Sequence, residues 1–189
     1  MGGLAKRMPI TFWTFLIGGF SLSGFPFITA GFWSKDEILA DAFAHGHWWV
    51  FTVLLLAAFL TAFYTMRQIA LTFLGDPRSE SAAHSHESTW TMTLPLVILA
   101  FFALFAGFVG VHTDFPVLGE LLGHNPFEHF IVSSLPHHLA GIEFNWTPVL
   151  LSVVAGLGGL GCGWLLYGRR PLAAGQPDPL VSSLGPVHE

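Results

Sequence analysis

Five apolar stretches separated by short polar punctuation set the pattern of this chain. They cover residues 10–25, 27–46, 48–74, 91–112 and 146–167. At 1.5 Å of helical rise per residue, each crosses about 30 Å of hydrocarbon, or nearly does so when tilted or paired. The pattern predicts an all-α, polytopic membrane protein with about five transmembrane helices. Pro9 stands at a tolerated helix-start position, and Ser23-Gly24-Phe25-Pro26 closes the first span and hinges it to the second. The second span carries Thr29, Gly31, Ser34, Lys35, Asp36, Glu37 and Asp41, too many polar groups for a lipid-facing helix. It reads as buried against other helices or as discontinuous near residues 31–34. The third is long enough to tilt or project, which sets Arg67 near an interface.

The polar segments divide the rest. Residues 1–75 hold three spans, including the Ser-Lys-Asp-Glu run, and 76–90 form a solvated loop rich in Gly, Pro and Ser. Residues 91–167 hold two further spans around a 113–145 segment whose short apolar pieces suit the membrane interface rather than a sixth crossing. Gly168-Arg169-Arg170-Pro171 stops the last helix, and 168–189 is a polar tail. If five spans alternate, Arg78, Arg169 and Arg170 lie on one side, taken as cytoplasmic, and Lys6 and Arg7 on the other. No signal peptide or lipidation pattern marks residues 1–9.

Composition agrees with a bilayer: 52% of residues are hydrophobic, 15% aromatic and only 10% charged, with mean hydropathy +0.61. A net charge of −5 leaves no basic surface for nucleic acid. The single cysteine, Cys162, cannot build a disulfide framework or an iron–sulfur site within this chain. His45 and His47 flank Gly46 as loop or interface histidines. The pairs His84/His86 and His137/His138 lack the i, i+4 spacing of a helical metal pair, so no metal is expected. Gly156, Gly158, Gly159, Gly161 and Gly163 give the fifth span a small-residue surface for close helix approach.

The chemistry concentrates in Gly31-Phe32-Trp33-Ser34-Lys35-Asp36-Glu37-Ile38-Leu39. A charged side chain at membrane depth costs roughly 2.5–3.5 kcal/mol on insertion scales, so such groups face protein or water and mark ion or proton routes. The proton affinity of an ammonium in a low-dielectric site depends on its burial and on nearby counter-charges. Lys35 is therefore a candidate proton carrier. Successive side chains on a helix point about 100° apart, so Lys35, Asp36 and Glu37 cannot all line one route. Ser34 could instead cap a second half-helix, with Asp36 and Glu37 at its positive dipole end.

The string from Met1-Gly2-Gly3-Leu4-Ala5-Lys6-Arg7-Met8-Pro9 through Thr11-Phe12-Trp13 to Ala30-Gly31-Phe32-Trp33-Ser34-Lys35-Asp36-Glu37-Ile38-Leu39 resembles the antiporter-like subunit L family of proton-pumping NADH:quinone oxidoreductase, respiratory complex I. Ala62-Phe63-Tyr64-Thr65-Met66-Arg67, His86-Glu87-Ser88 with Met92-Thr93-Leu94-Pro95-Leu96, and Gly168-Arg169-Arg170-Pro171 extend the resemblance over nearly the whole chain. The resemblance implies that Lys35 is the lysine on a discontinuous helix at the exit end of a proton half-channel, with Asp36 the acid that follows it. Glu37 and Arg67 are weaker candidates for the same route. The family subunit is much longer, so the chain reads as a C-terminal-region fragment that stops before a lateral helix.

In that setting the chain has no catalytic redox site or cofactor of its own. NADH, FMN, iron–sulfur clusters and quinone belong to partner subunits, and the partners are other membrane-arm subunits and the lipid bilayer of the cell inner membrane, with no small-molecule ligand. Two other functions compete: the large subunit of a Mrp-type cation/proton antiporter or membrane-bound hydrogenase, and a structural membrane subunit whose charges only fix helix packing.

Overall fold

The computed structural model describes residues 1–111, 130, 133, 145–173, 175–176 and 178–184. These form helices α1 (Pro9–Ser23), α2 (Ala30–Ala44), α3 (Trp48–Phe73), α4 (Glu80–Ala83), α5 (Trp90–Phe105), α6 (Trp146–Gly163) and α7 (Pro179–Leu184), with no strand among the described residues. The 3-10 turn Ala106–Gly110 prolongs α5, and the π-helical turn Trp164–Gly168 prolongs α6. With α3, these give three helices long and apolar enough to cross a membrane: Trp48–Phe73, Trp90–Gly110 and Trp146–Gly168. Of the 113–145 segment, only residues 130, 133 and 145 are described, so its interfacial placement lies outside the described residues.

Helices α1 and α2 have 15 residues each, or about 22 Å, and neither reaches across the hydrocarbon alone. They lie one after the other along the same antiparallel neighbour. Phe12 packs on Phe73 at 5.3 Å, and Gly19 lies against Thr65 and Ile69. Farther along, Leu39 and Ala42 cluster with Phe51, and Phe43 meets Phe51 at 5.4 Å and Trp48 at 5.1 Å. The first two apolar stretches are thus two half-helices running in one direction.

The interruption has a local cause. Gly24 adopts φ +72°, and the amides of Gly24 and Phe25 donate to Ser21 O and Phe20 O at 3.0 and 2.9 Å, the double bond of a left-handed helix stop. Pro26 then forbids continuation, and Phe27 is itself left-handed at φ +64°. Helix resumes at Ala30 behind the extended Thr29. The break therefore occupies residues 24–29, and residues 31–34 are continuous helix. Ser34 caps nothing, because its hydroxyl bonds back to Ala30 O at 3.4 Å.

Helix α6 packs parallel to α3 through its glycines. A Cβ on Gly163 would lie 2.7 Å from Met66 Cβ, and one on Gly159 would lie 2.8 Å from Ala62 Cβ and collide with Phe59 O. Ala62, Met66, Ile69 and Leu160 form the buried core there. A second core joins Phe32 and Trp33 of α2 to Val111 and Val149.

One end of the bundle gathers the start of α1, the end of α3 and the end of α6. Gly3 N donates to Leu74 O at 3.1 Å, Arg78 Nε donates to Met1 O at 2.7 Å, and Gly75 stands against Pro171. Lys6, Arg7, Arg78, Arg169 and Arg170 consequently share one face, which corrects the sequence expectation that Lys6 and Arg7 lie opposite the others. The expectation miscarried because each half-helix was counted as a full crossing.

Candidate functional site

Residues 24–29 leave the last turn of α1 with carbonyls that no helical amide reaches. Lys35, one and a half turns into α2, points its ammonium back at that gap and donates from Nζ to Leu22 O at 3.1 Å. Gly24 borders this approach: its φ of +72° favours glycine, and a Cβ there would make only ordinary contact with the lysine, 3.7 Å from Nζ. The C-terminal end of a helix carries partial negative charge, so among the described residues the cation is held by the broken end of α1 rather than by a carboxylate. Gly31 secures the geometry: its amide donates to Ser21 Oγ at 3.2 Å, and any Cβ would collide with Ser21 O.

Lys35 lines a groove of about 1050 Å³ between α1, α2, α3 and α5. Its walls are mostly apolar, with a scatter of hydroxyls: Thr11, Thr14 and Ser21 from α1, Ser34 from α2, and Thr61 and Thr65 from α3, with Gln68 one turn beyond. Asp36 points elsewhere. It is buried against α6, where Ser152 Oγ donates to Asp36 Oδ1. Glu37 is exposed. The structure separates the three consecutive charges onto a groove, a helix interface and an outer surface.

Arg67 belongs to a different cluster. Its Nη2 pairs with Asp178 Oδ2 at 2.5 Å, its guanidinium stands 5.4 Å over the Tyr167 ring, and Tyr167 OH donates to Asp178 Oδ1 at 2.6 Å. Asp178 also accepts from Leu180 N at 3.0 Å, capping α7. Burial pushes its carboxyl up, but the bonds from Tyr167 and Arg67 outweigh burial and hold it below the usual range. The tail is thereby tied to α3 and α6. Asp178 escaped the sequence reading, although Asp-Pro ahead of an apolar run is a helix-start signal.

Glu87 also escaped it. Its carboxylate accepts from Ile10 N at 2.7 Å, Thr11 N at 3.3 Å and Thr11 Oγ1 at 2.6 Å, so a loop acid caps α1 across 76 positions of sequence. No local pattern could reveal a cap supplied from so far away.

Comparison with known proteins bears on this arrangement. Residues 1–61 match the family model described as NADH:quinone oxidoreductase/Mrp antiporter, TM, and residues 64–118 match that of NADH dehydrogenase subunit 5 C-terminus. The chain is 37% identical over 172 residues to NADH-quinone oxidoreductase subunit L of Escherichia coli, covering 91% of this chain and 25% of that protein. The chain belongs to the antiporter-like subunit L family of NADH:quinone oxidoreductases. Subunit L of Pseudomonas aeruginosa is 44% identical over 124 residues, 66% of this chain and 20% of that protein. The F(420)H(2) dehydrogenase subunit L of Methanosarcina mazei is 35% identical over 211 residues, all of this chain and 29% of that protein. The chain spans less than a third of the length of these subunit L relatives. The two family matches meet within the α3 wall of the Lys35 groove, between Thr61 and Thr65, so the groove draws on both.

Proposed function

We propose that this chain supplies the lysine element of proton translocation in an antiporter-like membrane subunit, with Lys35 as the carrier and quinone reduction in other subunits as the driving force. The observation that carries the reading is the Lys35 ammonium held by the Leu22 carbonyl at the break between two half-helices, on a groove rather than in a closed ion pair. A cation held by one carbonyl changes its proton affinity readily when another charge moves nearby, and one pKa unit corresponds to about 1.4 kcal/mol of coupling. Asp36 and Glu37 act at one remove: Asp36 fixes α2 to α6, and neither shares the groove wall with Lys35.

The two half-helices then count as one discontinuous crossing, and the clustered Lys and Arg face the cytoplasm by the positive-inside rule. The bacterial relatives favour the cell inner membrane. NADH, flavin, iron–sulfur clusters and quinone are assigned to partner subunits of the membrane-bound assembly. The Mrp antiporter in the family description keeps cation/proton exchange as the second reading.

The test is proton translocation in membrane vesicles containing the assembled complex with Lys35→Met, at normal abundance of the complex. Strongly reduced translocation is the expected result. Unimpaired translocation would return the charged run to a structural role.

A further inference from the structure

Helix α1 contains no ionisable residue, yet each of its ends is held by a charge supplied from elsewhere in the chain, of the sign that complements the helix dipole. At its start the Glu87 carboxylate accepts from Ile10 N at 2.7 Å, Thr11 N at 3.3 Å and Thr11 Oγ1 at 2.6 Å. At its end Leu22 O accepts from Lys35 Nζ at 3.1 Å, and Ser21 Oγ accepts from Gly31 N at 3.2 Å. Among the described residues, these are the hydrogen bonds that join α1 to other helices and loops. Between its ends the helix meets its neighbours through apolar side chains such as Phe12, Leu16 and Phe20, packed on the core of α3 and α6.

Apolar contacts are non-directional and let a helix slide along its neighbours, whereas a hydrogen bond weakens steeply once donor and acceptor leave a narrow range of distance and angle. The break at residues 24–29 gives α1 no helical continuation into α2, and before it stands only the short turn Leu4–Lys6. Helix α1 is thus a rod of 15 residues whose register along α3 and α5 is set at its ends. At the start, three bonds converge on one carboxylate. Glu87 itself lies two residues before Thr89, which immediately precedes α5, and α5 supplies Leu96 and Leu99 to the wall of the groove that Thr11 and Lys35 also line. One side chain therefore ties the α1 and α5 walls of the groove together.

We propose that Glu87 is a positioning residue for Lys35: by clamping the start of α1 to the approach of α5, it sets the place along the groove at which the broken end of α1 meets the ammonium. This rests on the reading of Lys35 as the carrier. Glu87 carries no proton of the route and acts through the rod between the two charges. The hydrogen-bonded ladder of a helix passes an axial shift from one end to the other with little compression. A shift of about 1 Å suffices to carry the Lys35–Leu22 contact out of hydrogen-bonding range.

The experiment compares Glu87→Gln, Thr11→Val, Thr11→Ser and, as a charge control on the exposed Glu80 of the same polar segment, Glu80→Gln, all in the assembled complex. It reads protons translocated per electron and the rate of electron transfer in membrane vesicles, abundance of the complex, and hydrogen exchange at Ile10 and at Gly24, Phe25 and Gly31 around the far end of α1. Glutamine keeps the shape and removes the charge. The expected result is that Glu87→Gln lowers protons per electron roughly two- to tenfold, the equivalent of one hydrogen bond, retains electron transfer per complex, and speeds exchange at both ends of α1. Thr11→Val has the same effect, Thr11→Ser restores translocation, and Glu80→Gln translocates normally. Should Glu87→Gln fail to accumulate, the two Thr11 variants carry the comparison. Wild-type protons per electron in Glu87→Gln, or in Thr11→Val where that pair decides, overturns the assignment. So does faster exchange confined to the start of α1, which marks a local cap, or equal impairment in Glu80→Gln, which marks an effect of surface charge. Lys35→Met in the same vesicles separates the two readings. If it translocates normally, the carrier reading fails and takes this one with it. If it is impaired while Glu87→Gln is normal, only the role of Glu87 fails.

Discussion

A helix end has carbonyls to spare, and in this chain one of them receives the ammonium of Lys35 at 3.1 Å. The opposite end of the same half-helix is treated in the complementary way, with the Glu87 carboxylate on the first amides of α1. Burial raises the Glu87 carboxyl, but the bonds from Thr11, Ile10 and Ser88 outweigh burial and leave it below its ordinary value of 4.5. A folded value below the unfolded one means that this contact stabilises α1 above that ordinary value and is lost as pH falls through the lower folded value. Glu87→Gln is expected to speed hydrogen exchange at Ile10 and Thr11 at neutral pH by an amount equivalent to less than about 1 kcal/mol, since the site is partly solvated. In the unsubstituted protein the same amides are expected to loosen below pH 4.5. Equal exchange in both proteins across that range would show that Glu87 caps nothing.

At the scale of the element, the main departure from the sequence reading is the break. Hydropathy located all five apolar stretches, and Ser23-Gly24-Phe25-Pro26 was legible as a stop because glycine and proline act through local backbone sterics. Whether the chain turns back after such a stop or resumes in line depends on the neighbours, here α3 and α6, and no local signal carries that. The same limit hid the Asp36–Ser152 bond and the Arg67–Asp178 pair, which join residues more than a hundred positions apart. The glycines of α6 were legible as a packing surface, and the structure sorts them. Gly159→Ala forces a methyl into Phe59 O and within 2.8 Å of Ala62 Cβ, whereas at Gly161 an added Cβ meets nothing within 4 Å. Thermal denaturation of the assembled complex is expected to show Gly159→Ala destabilised by about 1–3 kcal/mol and Gly161→Ala unchanged or slightly more stable. Equal effects at the two positions would contradict the packing of α6 on α3.

For the whole molecule, joining the two half-helices into one crossing reorganises the topology. Counted as five alternating spans, the chain scatters its cations over both faces. With a broken first crossing, every Lys and Arg except Lys35 stands at or near one end, where Met1, Gly3, Leu74, Arg78 and Pro171 come together. The loop holding Gly46 and the exposed His45 and His47 lies at the other end, between α2 and α3. Lys35 then lies between those two ends, beside the end of α1 and against the groove.

The measurement that tests this most directly is side-specific thiol labelling of single cysteines at positions 7, 47 and 170 in the assembled complex, with Cys162 replaced by serine. The broken crossing predicts that positions 7 and 170 label from one face of the membrane and position 47 from the other. Labelling of positions 7 and 47 from the same face, with 170 opposite, would contradict it: α1 and α2 would then be separate crossings, and Lys35 would not lie at the gap of a discontinuous one.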